Sequence, residues 1–292
     1  QNRFFNTEIQ TLSSLEASNN DNNNLQIADS FKFNIDGTKD GNFSDYIKHN
    51  QLGEKNRALI DMLFSQKNLK MNLKVGFKGN PHIGSIVLNQ FRESNDFKYF
   101  ASRFKEDDRI FIVSSIFGGT GAAGFPLLIK NIRSATVQNV PNHAILRDAK
   151  IGALSVQPYF GVEPNAHSDI DKGTFIAKTK AALTYYARNL TGNKSVNAMY
   201  YLADKQTTDY QNNEGEAAQK NAAHLIELIS ALAIIDFMDI PDSNLMSENG
   251  KATMPIYKEY GLKGNLTKLD FTNLGPDSRR RIMKNLSQYA YF

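Results

Sequence analysis

The sequence predicts an α/β fold, a three-layer, mainly parallel sheet with a long central helix, and three observations carry that prediction. The stretches RIFIVSSIF, KIGALSVQP and SVNAMYYLAD are nearly continuous in apolar and β-branched residues, the pattern of parallel strands covered on both faces. Segments with helical apolar spacing separate them, giving the alternation of strand and helix that builds a parallel sheet. The first of these strands runs directly into FGGTGAAGFP and then into a helical stretch, a junction suited to holding phosphate.

Taken in order, residues 1–53 read as an irregular Asn-rich segment, since SNNDNNN has no periodicity and NIDGTKDGNFSDY continues the polar, turn-forming character. Residues 54–240 read as the main domain. It opens with EKNRALIDMLFSQK, which places Leu59, Met62 and Leu63 on one helical face. MNLKVGF reads as a short strand ending in the turn KGNPHIG, from which SIVLNQF begins a helix. The glycine-rich loop follows the strand RIFIVSSIF and leads into a helix from about Gly121 to Arg133. After KIGALSVQP comes an amphipathic helix around GTFIAKTKAALTYYARNL; after SVNAMYYLAD and the loop KQTTDYQNNEGE comes AAQKNAAHLIELISALAIIDF. In that last segment Leu225, Ile229 and Leu232 keep helical spacing while apolar residues spread around the circumference, which predicts a central buried helix beginning near Gln219. Residues 241–292, with the helix candidate DSRRRIMKNLSQY, read as a short C-terminal unit or a truncated second domain.

Composition excludes several function classes. With 292 residues, 41% hydrophobic and 22% charged, the chain can bury a sizeable core. No stretch reaches the roughly 18 apolar residues of a spanning helix, Glu227 interrupting the longest candidate, so no membrane segment is expected. The absence of cysteine excludes disulfides and thiolate metal sites and fits a reducing cytoplasm. A balance of 34 basic against 30 acidic side chains is too mild to signal nucleic acid, and Arg279, Arg280 and Arg281 read as a solvated face. The five histidines show no ligand-like spacing. The chain begins at Gln1, which reads as a piece of a longer natural chain.

The loop from Gly118 to Gly124 has a definable chemistry. Glycines let backbone N–H groups approach an anion, the following helix adds its positive N-terminal end, and Thr120 adds a hydroxyl. Gly119, Gly121 and Gly124 also satisfy G-x-G-x-x-G, the dinucleotide fingerprint. That fingerprint expects an acidic residue at the end of the next strand, about 20 residues on. Here the next strand ends in Gln157 and Pro158, which makes a Rossmann-type, dinucleotide-dependent oxidoreductase the lesser reading.

Four ordered elements over about residues 70–240 point elsewhere. Gly118, Gly119, Thr120 and Gly121, with Pro126 behind them, form the first; Phe117 and Ala123 stand where glycines would complete the pattern. Upstream, GFKGNPHIG supplies Gly79, Asn80, Pro81 and Gly84, with Lys78 in the neighbourhood of a further glycine. IGALSVQPYF is an apolar strand ending in a Pro-aromatic turn, and a long helix carries Asn221 near its start. Together these resemble the tubulin/FtsZ superfamily. The resemblance implies a prokaryotic, cytoplasmic, cytoskeletal GTPase that binds GTP or GDP, with Mg²⁺ carried by the nucleotide, and that assembles with itself into oligomers or filaments. It implies phosphate contacts from Gly79, Asn80, Gly118, Gly119, Thr120 and Gly121, ribose and base contacts from Glu163 and Asn221, and hydrolysis completed at a subunit interface by carboxylates such as Asp236 and Asp239. The superfamily's first strand and first glycine loop should precede these elements, and residues 1–60 contain no such loop. A non-hydrolysing scaffold on the same fold is the main alternative.

Overall fold

The computed structural model describes residues 41–74, 76–138, 140–163, 172–211, 222, 224–262, 267–269, 276, 279–280 and 282–284. In chain order its principal elements are α1 (Glu54–Leu63), α2 (Pro81–Leu88), α3 (Asn95–Arg103), β1 (Arg109–Ser115), α4 (Gly119–Arg133), β2 (Lys150–Val156), β3 (Gly161–Val162), α5 (Lys172–Tyr186), β4 (Ala198–Leu202), β5 (Asp209–Tyr210), α6 (Leu225–Asp239), β6 (Ser247–Glu248), β7 (Lys251–Ala252), β8 (Ile256–Tyr260) and β9 (Thr267–Lys268). Five strands form a wholly parallel sheet in the order β1-β2-β4-β8-β9. Among the described residues no helix is long and apolar enough to cross a membrane.

Alternation along the strands produces three layers. Ile151, Ala153 and Met199 face one side, where Ile129 and Ile132 of α4 and Tyr186 and Leu190 at the end of α5 cover them. Leu154, Val156, Ala198, Tyr200 and Leu202 face the other side, under Ile229, Leu232 and Phe237 of α6. A third cluster, built from Phe43, Phe64, Leu69, Met71, Leu73, Phe77, Ile83 and Val87, packs on α4 through Ala123. The parallel α/β sheet expected from the three apolar runs is therefore present, with helices on both faces.

Several local expectations change. Among the described residues MNLKVGF forms no strand of the sheet, and the bridge there joins Asn72 to Asn42. Its alternation is real, since Met71, Leu73 and Phe77 are buried, but it serves the third cluster, where helices supply the partners. Leu59, Met62 and Leu63 lie on α1 as expected yet are 49%, 76% and 58% exposed. Helix α6 covers one face of the sheet and leaves Leu225, Ile234 and Met238 on its exposed side, so it is buried on one side only. It begins at Leu225, where the His224 ring accepts a hydrogen bond from Ile226 N and acts as the N-cap. The sheet also crosses residue 240, because β8 pairs with β4 in register, Tyr200 opposite Lys258.

The amino edge of the sheet is held by two arginines that bond to carbonyls. Arg109 donates to Phe237 O, Met238 O and Ile240 O at 2.8, 3.1 and 2.8 Å, which closes the C-terminus of α6 and places a cation at the negative end of its dipole. Arg133, the last residue of α4, donates to Ser195 O, Arg147 O, Ala149 O and Asn197 Oδ1 within 2.7–2.8 Å. Burial lowers its guanidinium to about 10, against an opposing effect of Asp148, so it stays charged at neutral pH. Asn197 in turn donates to Leu245 O and Ser247 Oγ and accepts from Ile151 N. One guanidinium and one amide thus tie α4, β2, the start of β4 and the β6–β7 hairpin together. Replacing Arg133 by Met leaves three backbone carbonyls and an amide oxygen without this donor and is expected to cost about 3 kcal/mol or more in urea unfolding; an unchanged midpoint would show that the hub is dispensable.

A candidate anion site at a glycine-rich helix terminus

The site begins where β1 leaves the sheet. Ile116 still bonds to the neighbouring strand, its N–H donating to Val156 O at 3.0 Å, and three residues later α4 starts. The N-cap is Gly118, extended at φ −82° and ψ 169°, and no side chain caps the helix. The N–H groups of the first turn have no partner within a helix, and the helix dipole adds positive character at the same point. This terminus lies at the carboxyl edge of a parallel sheet, where ligands of such folds collect.

A second segment is folded against it. Asn80 N donates to Phe77 O at 2.7 Å, with Lys78 and Gly79 between them at φ 41° and 71°, the signs of a type I′ turn. Lys78 thus adopts a backbone conformation that glycine reaches without cost. The turn rests directly on α4: a Cβ at Gly119 would lie 2.9 Å from Gly79 N and 2.9 Å from Phe77 C. Only a glycine at 119 admits that backbone contact. The Asn80 amide donates to Lys78 O at 3.0 Å and so holds the turn, and Pro81 opens α2 behind it. The exposed Thr120 stands over the same segment, its hydroxyl 2.9 Å from where a Cβ on Gly76 would be. Gly79, Asn80, Gly118, Gly119, Thr120 and Gly121, which come from two separate stretches of chain, are all brought into this one junction.

Two further side chains join them, of which Lys178 is not anticipated from the sequence. Lys178 of α5 reaches across to donate from Nζ to Gly79 O at 2.6 Å. His82 stacks on Phe64, ring centroids 5.3 Å apart, and its basicity is lowered by burial and then by the nearby Lys178 charge. Helical periodicity signals the helix that carries Lys178 but not which loop its side chain meets.

Beside the junction lies an aromatic rim. Phe117, in the place of a patterned glycine, meets Phe160 at 5.5 Å and Tyr159 at 6.3 Å; Phe160 meets Tyr210 at 5.8 Å, and Tyr159 meets His224 at 4.7 Å. Burial, then Glu227 and Tyr210, raise the Tyr159 phenol. Glu163 sits at the outer side of this rim, exposed, with its N–H donating to Tyr210 O at 3.0 Å. Asn221 lies outside the described residues.

The two aspartates are elsewhere. Asp236 is 3% exposed and accepts from Tyr200 Oη at 2.6 Å and from Lys258 Nζ at 2.7 and 2.8 Å. With its carboxylate held by a phenol and an ammonium inside the α6–sheet interface, it anchors α6 and is not open to a substrate. Asp239 is the exposed last residue of α6, at the end opposite His224 and the aromatic rim. Just beyond it Asp242 binds Arg109 at 2.6 Å and Lys150 at 2.9 Å, and hydrogen bonds from Lys150 and then Arg109 hold its carboxyl below the usual carboxylate range. Among the described residues no three acidic or histidine side chains converge as a metal site.

Gly119→Ala must push the 77–79 turn off the helix, because its methyl meets backbone atoms; a loss of about 1–3 kcal/mol is expected in chemical unfolding. At Gly124 the nearest obstacle is the Leu88 Cδ1 methyl at 3.2 Å, and Gly124→Ala is expected to be near neutral by the same measurement, since better helix propensity offsets the crowding. Equal effects at the two glycines would contradict the packing described. Family models, curated proteins and solved structures give no match to this chain.

Proposed function

We propose that the junction of the two glycine-rich segments binds the phosphates of a guanine nucleotide, and that the protein is a tubulin/FtsZ-like, nucleotide-linked self-assembling protein. The observation that carries this reading is the backbone contact between Gly79 and Gly119. Two motifs separated by about forty residues in the sequence meet over an uncapped helix terminus, in the arrangement an anion cradle needs. Gly118, Gly119, Thr120 and Gly121 would hold the phosphates from the helix side, and Gly79 and Asn80 from the turn side. Mg²⁺ would be carried by the phosphates and water. Bound GTP supplies the scissile phosphoanhydride; this chain orients it and draws its charge toward the helix terminus.

Helix α6 fits the assembly part of the reading, because it spans from the rim beside the site to the opposite edge of the sheet. In a head-to-tail stack the Asp239 end of one copy would face the cradle of the next, which assigns the completing carboxylate to Asp239 in preference to the buried Asp236. A non-hydrolysing scaffold is favoured by one observation, the packing of Phe117 into the aromatic rim at the mouth of the cradle.

Calorimetry with GTP, GDP and ATP in the presence of Mg²⁺ tests the binding claim. Thr120→Val keeps the side-chain shape and removes the hydroxyl, and is expected to weaken GTP binding about tenfold, or about 1.4 kcal/mol. No heat with any nucleotide in the unaltered protein would contradict the reading; GTP binding that Thr120→Val leaves unchanged would remove the hydroxyl from the site.

A further inference from the structure

A second concavity lies at the far end of α4, about 20 Å from the glycine junction by the rise of a fifteen-residue helix. It is a groove of about 460 Å³ between the last turns of α4, the end of α5 and the β6–β7 hairpin, within the range of small-ligand clefts, about 300–1,000 Å³. Its lining contains Lys130, Arg133 and Lys251 and no carboxylate. Arg133 is half-buried and engaged with backbone carbonyls and Asn197, and among the described residues no acid is bonded to it. The nearest acid by its effect on Arg133, Asp148, is taken up by Arg147 and Gly250 N. Among the described residues Lys130 and Lys251 make no ion pair, although Lys251 is in cross-strand register with Glu248.

The polar donors beside them are also unspent: the Ser134 hydroxyl and the Asn249 amide make no hydrogen bond among the described residues, and both line the groove. The wall opposite is the Tyr185 ring, 48% exposed. At the end of α5 the chain makes a π-turn, Ala187–Thr191, closed by Gly192 N donating to Ala187 O at 2.8 Å, and this turn brings Asn189 to the groove. Such turns occur frequently at functional sites.

We propose that this groove binds a small organic phosphate. Lys130 and Lys251 grip the phosphate as point charges, Ser134 and Asn249 donate to its oxygens, and the body of the ligand lies against Tyr185. Two ammoniums that make no ion pair among the described residues, beside a third, half-buried cation, match a dianion better than a monocarboxylate, and the exposed tyrosine and asparagine give a sugar-sized body both a flat wall and hydroxyl partners. This site is separate from the glycine junction and stands whether or not that junction takes GTP.

Titration of the whole chain with ribose 5-phosphate, AMP, ribose and inorganic phosphate, read by calorimetry and ligand-observed NMR, tests it. At least one of the two organic phosphates is expected to bind in the millimolar range or tighter, more tightly than inorganic phosphate or ribose. The Lys130→Gln/Lys251→Gln variant, altered only at exposed positions, is expected to weaken that binding about tenfold, while Thr120→Val leaves it unchanged. No binding of either organic phosphate, equal binding of inorganic phosphate, or binding that the double variant does not weaken would each overturn the proposal. Loss through Thr120→Val would also overturn it, by moving the binding to the glycine junction.

Discussion

The contact on which the glycine junction depends is made by backbone alone. Gly119 opens α4 and Gly79 closes a left-handed turn, and the two approach so closely that no side chain fits at 119. That approach sets the uncapped first turn of a fifteen-residue helix against a turn from a separate stretch of chain. Around it the chain places groups that hold the turn in position: the Asn80 amide on Lys78 O and the Lys178 ammonium on Gly79 O. For the anion binding we propose, such a junction would be preorganised, because its main-chain donors are fixed by packing and need no side-chain ordering.

The opposite end of the sheet is built on different chemistry. There the orphan carbonyls of α6 are met by Arg109, and those of Arg147 and Ala149 ahead of β2, Ser195 ahead of β4 and Leu245 ahead of β6 by Arg133 and Asn197. Cations serve at the C-terminal ends of helices for the same reason that an uncapped N-terminus suits an anion. The two edges of the sheet differ in kind, a glycine-rich, uncapped helix terminus at the carboxyl edge and arginines bonded to carbonyls at the other, with Asp242 clamped into the latter.

Much of the fold is legible in the sequence because burial on both faces leaves an unmistakable mark. KIGALSV and AMYYL are strands since nearly every residue in them is buried, and the glycine loop declares itself by composition. Legibility fails where charge is neutralised from a distance. IYKEY does not read as a strand because Lys258 and Glu259 look solvated, yet Lys258 pairs with Asp236 and Glu259 is 1% exposed, accepting from Leu262 N. The same pairing is why Asp236 looked available in the sequence and is spent in the structure. At the site, glycines and Thr120 could be named from pattern, whereas Lys178 could not, since its partner is a carbonyl 99 positions away. The exposed apolar face of α1 illustrates the remaining limit: periodicity specifies a helix and its stripe, and says nothing of what covers the stripe.

The most direct test of the cradle is to watch its own amides. In the ¹⁵N-labelled protein, titration with GTP and Mg²⁺ should shift the backbone N–H signals of Gly119, Thr120 and Gly121 together with those of Lys78 and Gly79, and leave those of β7 and the α4 C-terminus in place. Saturating GTP that moves none of the five, or that moves only residues at the far edge of the sheet, would contradict the assignment of the glycine junction as the nucleotide site.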